Sequence, residues 1–360
     1  MARKLKSDRI LFLATLLLVC LSVVMVYSAS AVGNPYDYLM KQLMWVALGL
    51  SILSVAMRID YRNYREPAFI WSFLAVVTIA LIAVLFMPRV NGARRWFSIG
   101  GLGIQPSEAV KLAAIVFIAA LLERRMHRVN EIPYALMPIA LVVAGWIGLI
   151  LLEPDLGTSM AIALIAGVMV FAAGLNYSYL TVVAIAALPA VGLLVMFWDY
   201  RLQRVMTFLH PWDDPLGAGY QIIQSFIAVH TGGIAGRGLM NGVQKLFYLP
   251  EPQTDFIYAV IAEELGLIGA TLVLICFCII TWRGVSIALR APEKFGAFLA
   301  LGLTTMIAVQ AFVNMSVVLG LMPTKGIPLP FVSFGGSSLL INLLGMGVLL
   351  NVSQHATSET

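Results

Sequence analysis

Apolar residues fall along this chain in long unbroken blocks, with no period-two alternation and only short polar breaks between them. Each block is about 15 to 27 residues long, close to the roughly 20 needed to cross some 30 Å of hydrocarbon as a helix. Ten helical spans are predicted, at roughly 10–32, 39–57, 68–87, 108–122, 133–152, 156–174, 180–198, 255–281, 296–320 and 331–351. The blocks are too long and continuous for barrel strands, and lipid admits only helix bundles or closed barrels. The expected fold class is therefore an all-α polytopic membrane protein of ten transmembrane helices, forming one domain over 1–360. A disordered polar tail is expected over about 353–360. The first block resembles a secretory leader in its basic "RKLKSDR" start, but its apolar run exceeds the usual leader core, so it is read as a span.

Composition agrees with this pattern. Of 360 residues, 61% are hydrophobic and 11% charged, against about a quarter charged in soluble domains. The net charge of +5 comes from basic residues in short loops. No basic run is interleaved with aromatics, so a nucleic-acid partner is not expected. Cys20, Cys276 and Cys278 lie inside apolar blocks, without metal or disulfide spacing, and are read as packed thiols. With the N-terminus inside, 13 of the 23 Lys and Arg residues are cytoplasmic. This favours N-in, C-in. Most of the other basic residues lie in two outer stretches, 89–111 and 201–245. The segment from about 199 to 254, between the seventh and eighth spans, becomes a large extracytoplasmic loop, too long to be an idle connection. Its Tyr220–Val229 portion is apolar enough to lie on or re-enter the membrane.

Five stretches could carry chemistry. In "LPEPQTDFIYAVIAEELGLIG", Asp255 opens the eighth span. As one helix, Asp255, Ala259, Ala262, Gly266 and Gly269 fall within about 40° of one another, a small-residue stripe that admits a close neighbour and turns Asp255 into the bundle. An inward carboxylate at the water boundary is a functional candidate. Glu263 and Glu264 lie off that stripe and are read as internal ion-pair partners. In "NGARRWFSIGGLGIQPSEAVKLA", Arg94 and Arg95 form a potential anion site, Ser107 a helix cap, and Glu108 with Lys111 an i,i+3 pair. "LEPDLGTS" adds Glu153 and Asp155 in a tight outer turn. "HTGGIAGRG" is either an anion nest or a flexible turn. "NMSVVLGLMPTKGIPLPFVSFGGSS", with Lys325 and Ser333, is irregular backbone that must be buried or line a wet cavity. All five lie at the outer ends of spans, as suits a lipid-linked substrate handled at the outer leaflet.

On four of these stretches, all but "HTGGIAGRG", in this order and spacing, the chain resembles the SEDS family of shape, elongation, division and sporulation proteins. Phe334, where Tyr is usual, and His230-Thr231 are small departures. "VMVYSAS", "QKLFYLPE" and "MPTKG" are more similar to division-type FtsW members than to rod-elongation RodA members. The resemblance implies a peptidoglycan glycosyltransferase of the cell membrane, polymerising lipid II into β-1,4 glycan on the extracytoplasmic side. It implies Asp255 as the essential acid, Glu108 and Lys111 as sensitive residues, and a class B penicillin-binding protein as partner beside other divisome or elongasome proteins. An α-linked donor and a β-linked product require inversion, hence one in-line displacement. The acceptor hydroxyl must lose a proton, for which Asp255 is the candidate base. The leaving diphosphate calls for positive charge from Arg94, Arg95 or Lys111, with Asp155, Lys325 and Ser333 as further substrate contacts, or for a divalent cation, Mg or Mn. On the residues alone a lipid II flippase and a non-catalytic scaffold remain alternatives.

Overall fold

The computed structural model describes residues 7–32, 34–89, 93–99, 102–197 and 199–356. It is a bundle of helices in which each of the ten apolar blocks coincides with one. They are α1 (Arg9–Ala29), α2 (Pro35–Ala56), α3 (Pro67–Val84), α4 (Pro106–Arg125), α5 (Met137–Leu152), α6 (Leu156–Ala172) and α7 (Tyr177–Met196), then, beyond the long loop, α10 (Ile257–Arg290), α11 (Lys294–Val318) and α12 (Gly336–Ser353). Several start at proline, whose missing N–H and fixed φ cost nothing in a first turn. α1 starts at Asp8, whose carboxylate accepts the Leu11 N–H at 3.0 Å. Among the described residues, seven helices are long and apolar enough to cross a membrane. α4 carries Glu108 and Lys111 in its first turns, and α6 has 17 residues. The protein is a multi-pass membrane protein.

α10, α11, α4 and α12 form the centre of the bundle. α10 packs on α11 and α1, α11 on α4, and α12 on α2. Large side chains such as Trp71, Val76, Ile79 and Trp282 remain exposed at the periphery, the surface that meets lipid. Cys276 is buried as expected, whereas Cys20 and Cys278 face outward. At the ends that carry the basic loops, Arg62 and Arg65 share Glu293 at 2.8 and 3.0 Å.

Three expectations are corrected, and the 199–254 segment gains detail. The fold is not purely α: β1 (Phe97–Ile99) and β2 (Leu102–Ile104) pair antiparallel, Ser98 opposite Gly103. Gly100 and Gly101 between them lie outside the described residues. The segment 199–254 contains α8 (Asp199–Leu209) and α9 (Tyr220–Gly232), and α9 packs against α10. The tail is ordered at its start, because the His355 ring lies edge-on to Tyr61 at 5.4 Å; residues 357–360 lie outside the described residues.

The third correction concerns α10, which is not one regular helix. Gly266 has φ +65°, and the helix breaks there. A break orphans backbone groups on both sides. The "HTGGIAGRG" segment satisfies them: the N–H groups of Arg237 and Gly238 donate to the carbonyls of Glu263 and Glu264, both at 3.0 Å, and Leu267 N–H donates to Gly233 O at 2.9 Å. This stretch is therefore neither an anion nest nor a loose turn. A Cβ on Gly236 would lie 2.1 Å from the Glu264 carbonyl, so two backbones meet where no side chain fits. Glu263 and Glu264 are fully buried beside the break, as internal partners. Glu264 binds the Lys245 ammonium at 2.6 Å and the Ser28 hydroxyl at 2.7 Å. Glu263 accepts from the Val243 N–H at 2.8 Å.

Candidate functional site

A cavity of about 760 Å³ lies where four of the five stretches converge, all but "HTGGIAGRG", and Arg95, Asp155, Arg204, Glu251, Asp255 and Lys325 line it. Asp255 reaches it by a route other than the one expected. α10 begins at Ile257 with Phe256 as its cap residue. Asp255 therefore neither caps the helix nor belongs to its small-residue stripe, which the break at Gly266 interrupts in any case. It sits on an irregular approach segment, and no hydrogen bond from a described residue reaches its carboxylate. Gly326 stands against it: a Cβ there would lie 3.0 Å from Asp255 Oδ2.

The electrostatics of this carboxyl group suit proton transfer. Burial pushes the Asp255 pKa up to about 6; Glu251 adds to the rise, Arg204 opposes it, and Asp155 and Arg95 make smaller contributions of opposite sign. A group so poised is ionised near neutrality yet basic enough to accept a proton. Lys325 is shifted downward, first by burial and then by Arg204, with Asp155 opposing. Cations and carboxylates are thus interleaved around the cavity.

The remaining expected residues separate into two groups. Asp155 lines the cavity while capping α6: its carboxylate accepts the Thr158 N–H at 3.0 Å and the Gln105 amide at 3.2 Å. Arg95 lines it too, anchored by hydrogen bonds to the carbonyls of Glu153 at 2.8 Å and Pro154 at 2.6 Å. Arg94 does not join it. Its guanidinium donates to Leu85 O at 2.8 Å, because adjacent residues in an extended segment point apart. Lys111 is also displaced from the expected diphosphate role. It is 2% exposed, and its ammonium is held by Glu108 at 2.8 Å and Gln310 Oε1 at 2.8 Å. Ser107 does not cap α4; Gln105 is the cap residue, and the Ser107 hydroxyl accepts from its amide at 2.9 Å. Ser333, buried, donates to Thr254 O at 2.6 Å and accepts from the Leu329 N–H at 2.8 Å, so its hydroxyl is fully engaged within the protein.

Sequence reasoning left Arg204 unassigned and missed Asn314 and Gly326. Arg204 donates to Thr324 O at 3.1 Å and lines the cavity; its position in a basic outer stretch was the available signal. The Arg201 side chain lies outside the described residues. Among the described residues no three His, Cys, Asp or Glu side chains are grouped to hold a metal ion by themselves.

Glu153 is the unusual neighbour. It is fully buried, and neither carboxylate oxygen has a hydrogen-bond partner among the described residues. Burial, aided by Asp155 and opposed by Arg95, raises its pKa from 4.5 to about 8. A folded-state pKa raised this way makes the protein lose stability as pH climbs from 4.5 to about 8. Glu153→Gln, which stays neutral, is expected to stabilise by on the order of 2 kcal/mol above that window and by little at its lower end. Thermal unfolding in detergent at pH 5 and pH 9 measures this; an equal shift at both would show that ionisation is not the cause.

Comparison with known proteins identifies the family and the overall fold. The sequence profile of the FtsW/RodA/SpoVE cell cycle proteins matches residues 8–358. A relative named probable peptidoglycan glycosyltransferase FtsW, from Geobacter sulfurreducens, is 42% identical over 97% of this chain and 95% of its own. A chain in a solved peptidoglycan synthase complex, described as coordinating polymerization and crosslinking, superposes with TM-score 0.81 at 31% identity, covering 96% of this chain and 97% of that one. The rod shape determining protein RodA of Thermus thermophilus superposes with TM-score 0.73 at 27% identity, covering 98% of each chain. With a family match over residues 8–358 and relatives that align along nearly the whole chain, the chain belongs to the FtsW/RodA/SpoVE family of cell cycle proteins, the SEDS family.

Proposed function

We propose that this chain is a peptidoglycan glycosyltransferase that polymerises lipid II at the outer face of the cytoplasmic membrane. The observation that carries the reading is the carboxylate of Asp255, poised to titrate near pH 6 in a cavity that also presents Arg95, Arg204 and Lys325. Asp255 takes the proton from the acceptor sugar's 4-hydroxyl as that oxygen attacks the anomeric carbon of the donor. The glycosidic oxygen leaves with its electron pair on undecaprenyl diphosphate, and the configuration inverts from α to β. Arg204, Lys325 and Arg95 supply the positive charge on which the diphosphate departs, an electrostatic term that grows in a site shielded from water. A carboxylate nucleophile is not needed, because a single displacement accounts for the inversion.

This reading has ten crossings, α1 to α7 and α10 to α12, with both termini in the cytoplasm and the 199–254 segment outside. The excess of basic residues at one end supports that orientation. A monofunctional transpeptidase of the class B penicillin-binding type is the proposed partner. It is supported by the likeness to a chain from a complex that couples polymerization to crosslinking. The test is polymerisation of lipid II by the purified chain in liposomes, with and without its transpeptidase, read as glycan ladders on a gel. Ladders are expected with the partner present. Their absence in every arm, together with movement of labelled lipid II between leaflets, would replace the enzyme with a transporter.

A further inference from the structure

Asp255 is the proposed base among the acids of the cavity, yet no regular element holds it. What immobilises it is a row of backbone contacts. Three successive carbonyls each accept one hydrogen bond from the other side of the site: Gln253 O from the Phe334 N–H at 2.9 Å, Thr254 O from the Ser333 hydroxyl at 2.6 Å, and Asp255 O from Asn314 Nδ2 at 2.8 Å. Asn314 has a second role. The same amide nitrogen also donates to Ile327 O at 2.8 Å, so both of its protons are used. One side chain on α11 thus ties the approach segment of Asp255 to the loop carrying Lys325 and Gly326. Asn314 is 2% exposed and does not line the cavity. One helical turn earlier, Gln310 receives Lys111, so the buried Glu108–Lys111 pair braces the same face of α11.

We infer that Asn314 is the positioning residue for the Asp255 carboxylate, fixing its backbone to the Lys325–Ile327 loop so that acid and cation face one cavity at a set separation. This rests on Asp255 being the proton acceptor. Misplacing a reacting group by about 1 Å can cost 10²-fold in rate, and a segment freed at Asp255 O and Ile327 O has room for such movement. Because Asn314 touches no part of the cavity, substrate affinity is governed by other residues. A loosened segment also admits water to the carboxylate. The charges that face Asp255 are Glu251 on its own segment, Arg204 on α8, Asp155 at the start of α6 and Arg95 before β1, with Lys325 on the loop before α12.

The experiment is steady-state polymerisation of lipid II by the full chain with its transpeptidase partner, comparing wild type, Asn314→Leu, Ser333→Ala and Asp255→Asn. For Asn314→Leu, kcat is expected to fall about 10- to 100-fold while KM changes less than about threefold. The acidic limb of its pH profile should move to lower pH. Ser333→Ala, which releases Thr254 alone among the three carbonyls, should show the same pattern at about 3- to 10-fold. It decides the matter if Asn314→Leu does not fold. Wild-type kcat and pH limb in a folded variant would overturn the inference. So would a fall in kcat that tracks lost thermal stability with the limb unmoved, since that is a purely structural effect. Activity surviving in Asp255→Asn removes the base, and this inference with it; a dead Asp255→Asn beside a wild-type-like Asn314→Leu overturns this inference alone.

Discussion

Asp255→Asn is expected to lower polymerisation by about 10²- to 10⁴-fold, the range typical of losing a general base, with insertion and folding intact. The amide is nearly isosteric with the acid but cannot accept the acceptor's proton at any accessible pH. The carboxylate receives no hydrogen bond from the described residues, so its replacement breaks none, and only its Coulombic attraction to Arg204 and Arg95 is lost. The same environment gives a second sign. Folded-state burial raises this pKa from 3.8 to about 6, so ionising Asp255 costs stability as pH rises through that window. The asparagine variant should therefore be slightly more heat-stable than wild type near pH 7.5, by on the order of 1 kcal/mol after allowing for residual solvent screening of a largely buried group. In wild type, kcat should fall as pH drops below about 6, where the base becomes protonated. Glycan ladders from lipid II and thermal unfolding, both measured in detergent, check these together. A dead but destabilised variant would point to a structural role, and full activity would remove Asp255 from the chemistry.

Lys245→Met should produce the largest loss of stability. Lys245 is 3% exposed and Glu264 fully buried. The ammonium contacts both Glu264 at 2.6 Å and Ser28 at 2.8 Å. Removing one partner of a buried pair strands the other charge, at about 3–5 kcal/mol. Here the pair lies beside the break in α10 and joins α1, the 239–245 stretch and α10, so its loss loosens the segment that satisfies the broken helix. The expected result is a marked drop in the melting temperature of the purified protein. Adding Glu264→Gln should recover part of it, because the stranded charge is gone while the Ser28 and Met240 contacts keep an acceptor. A loss below about 1 kcal/mol for the single variant would show that water reaches the pair.

Some of this was legible in the residues alone. The apolar blocks foretold every long helix, because a helix crossing lipid must be uniformly apolar over a fixed length. The irregular stretch before α12 was expected to be buried by protein or to line a wet cavity, and Pro323, Gly326, Pro328 and Gly335 line the cavity. Asp255, Asp155, Arg95 and Lys325 were named for the site and do share it. Expectation failed where a local rule met a distant partner. Ser107 has a cap residue's sequence context, but the helix begins one residue earlier. Arg94 and Arg95 looked like a pair, yet backbone geometry sends them to different carbonyls. The stripe from Asp255 to Gly269 assumed a continuous helix, and nothing within those residues announces the partner that opens it at Gly266.

By itself, then, the sequence determined the membrane class, the helix order and the cluster of chemically active residues at one end, since these follow from hydropathy, span length and the cost of charge in hydrocarbon. Only the tertiary structure decided which of those residues meet. The break in α10 exists because the 233–238 backbone, more than 25 residues upstream of its pairing partners, supplies the missing hydrogen bonds. The 253–255 segment is held because Asn314, Ser333 and Phe334 arrive from across the bundle. Hydrogen bonds at such separations carry no local signature, because their donors and acceptors become neighbours only once the helices have packed.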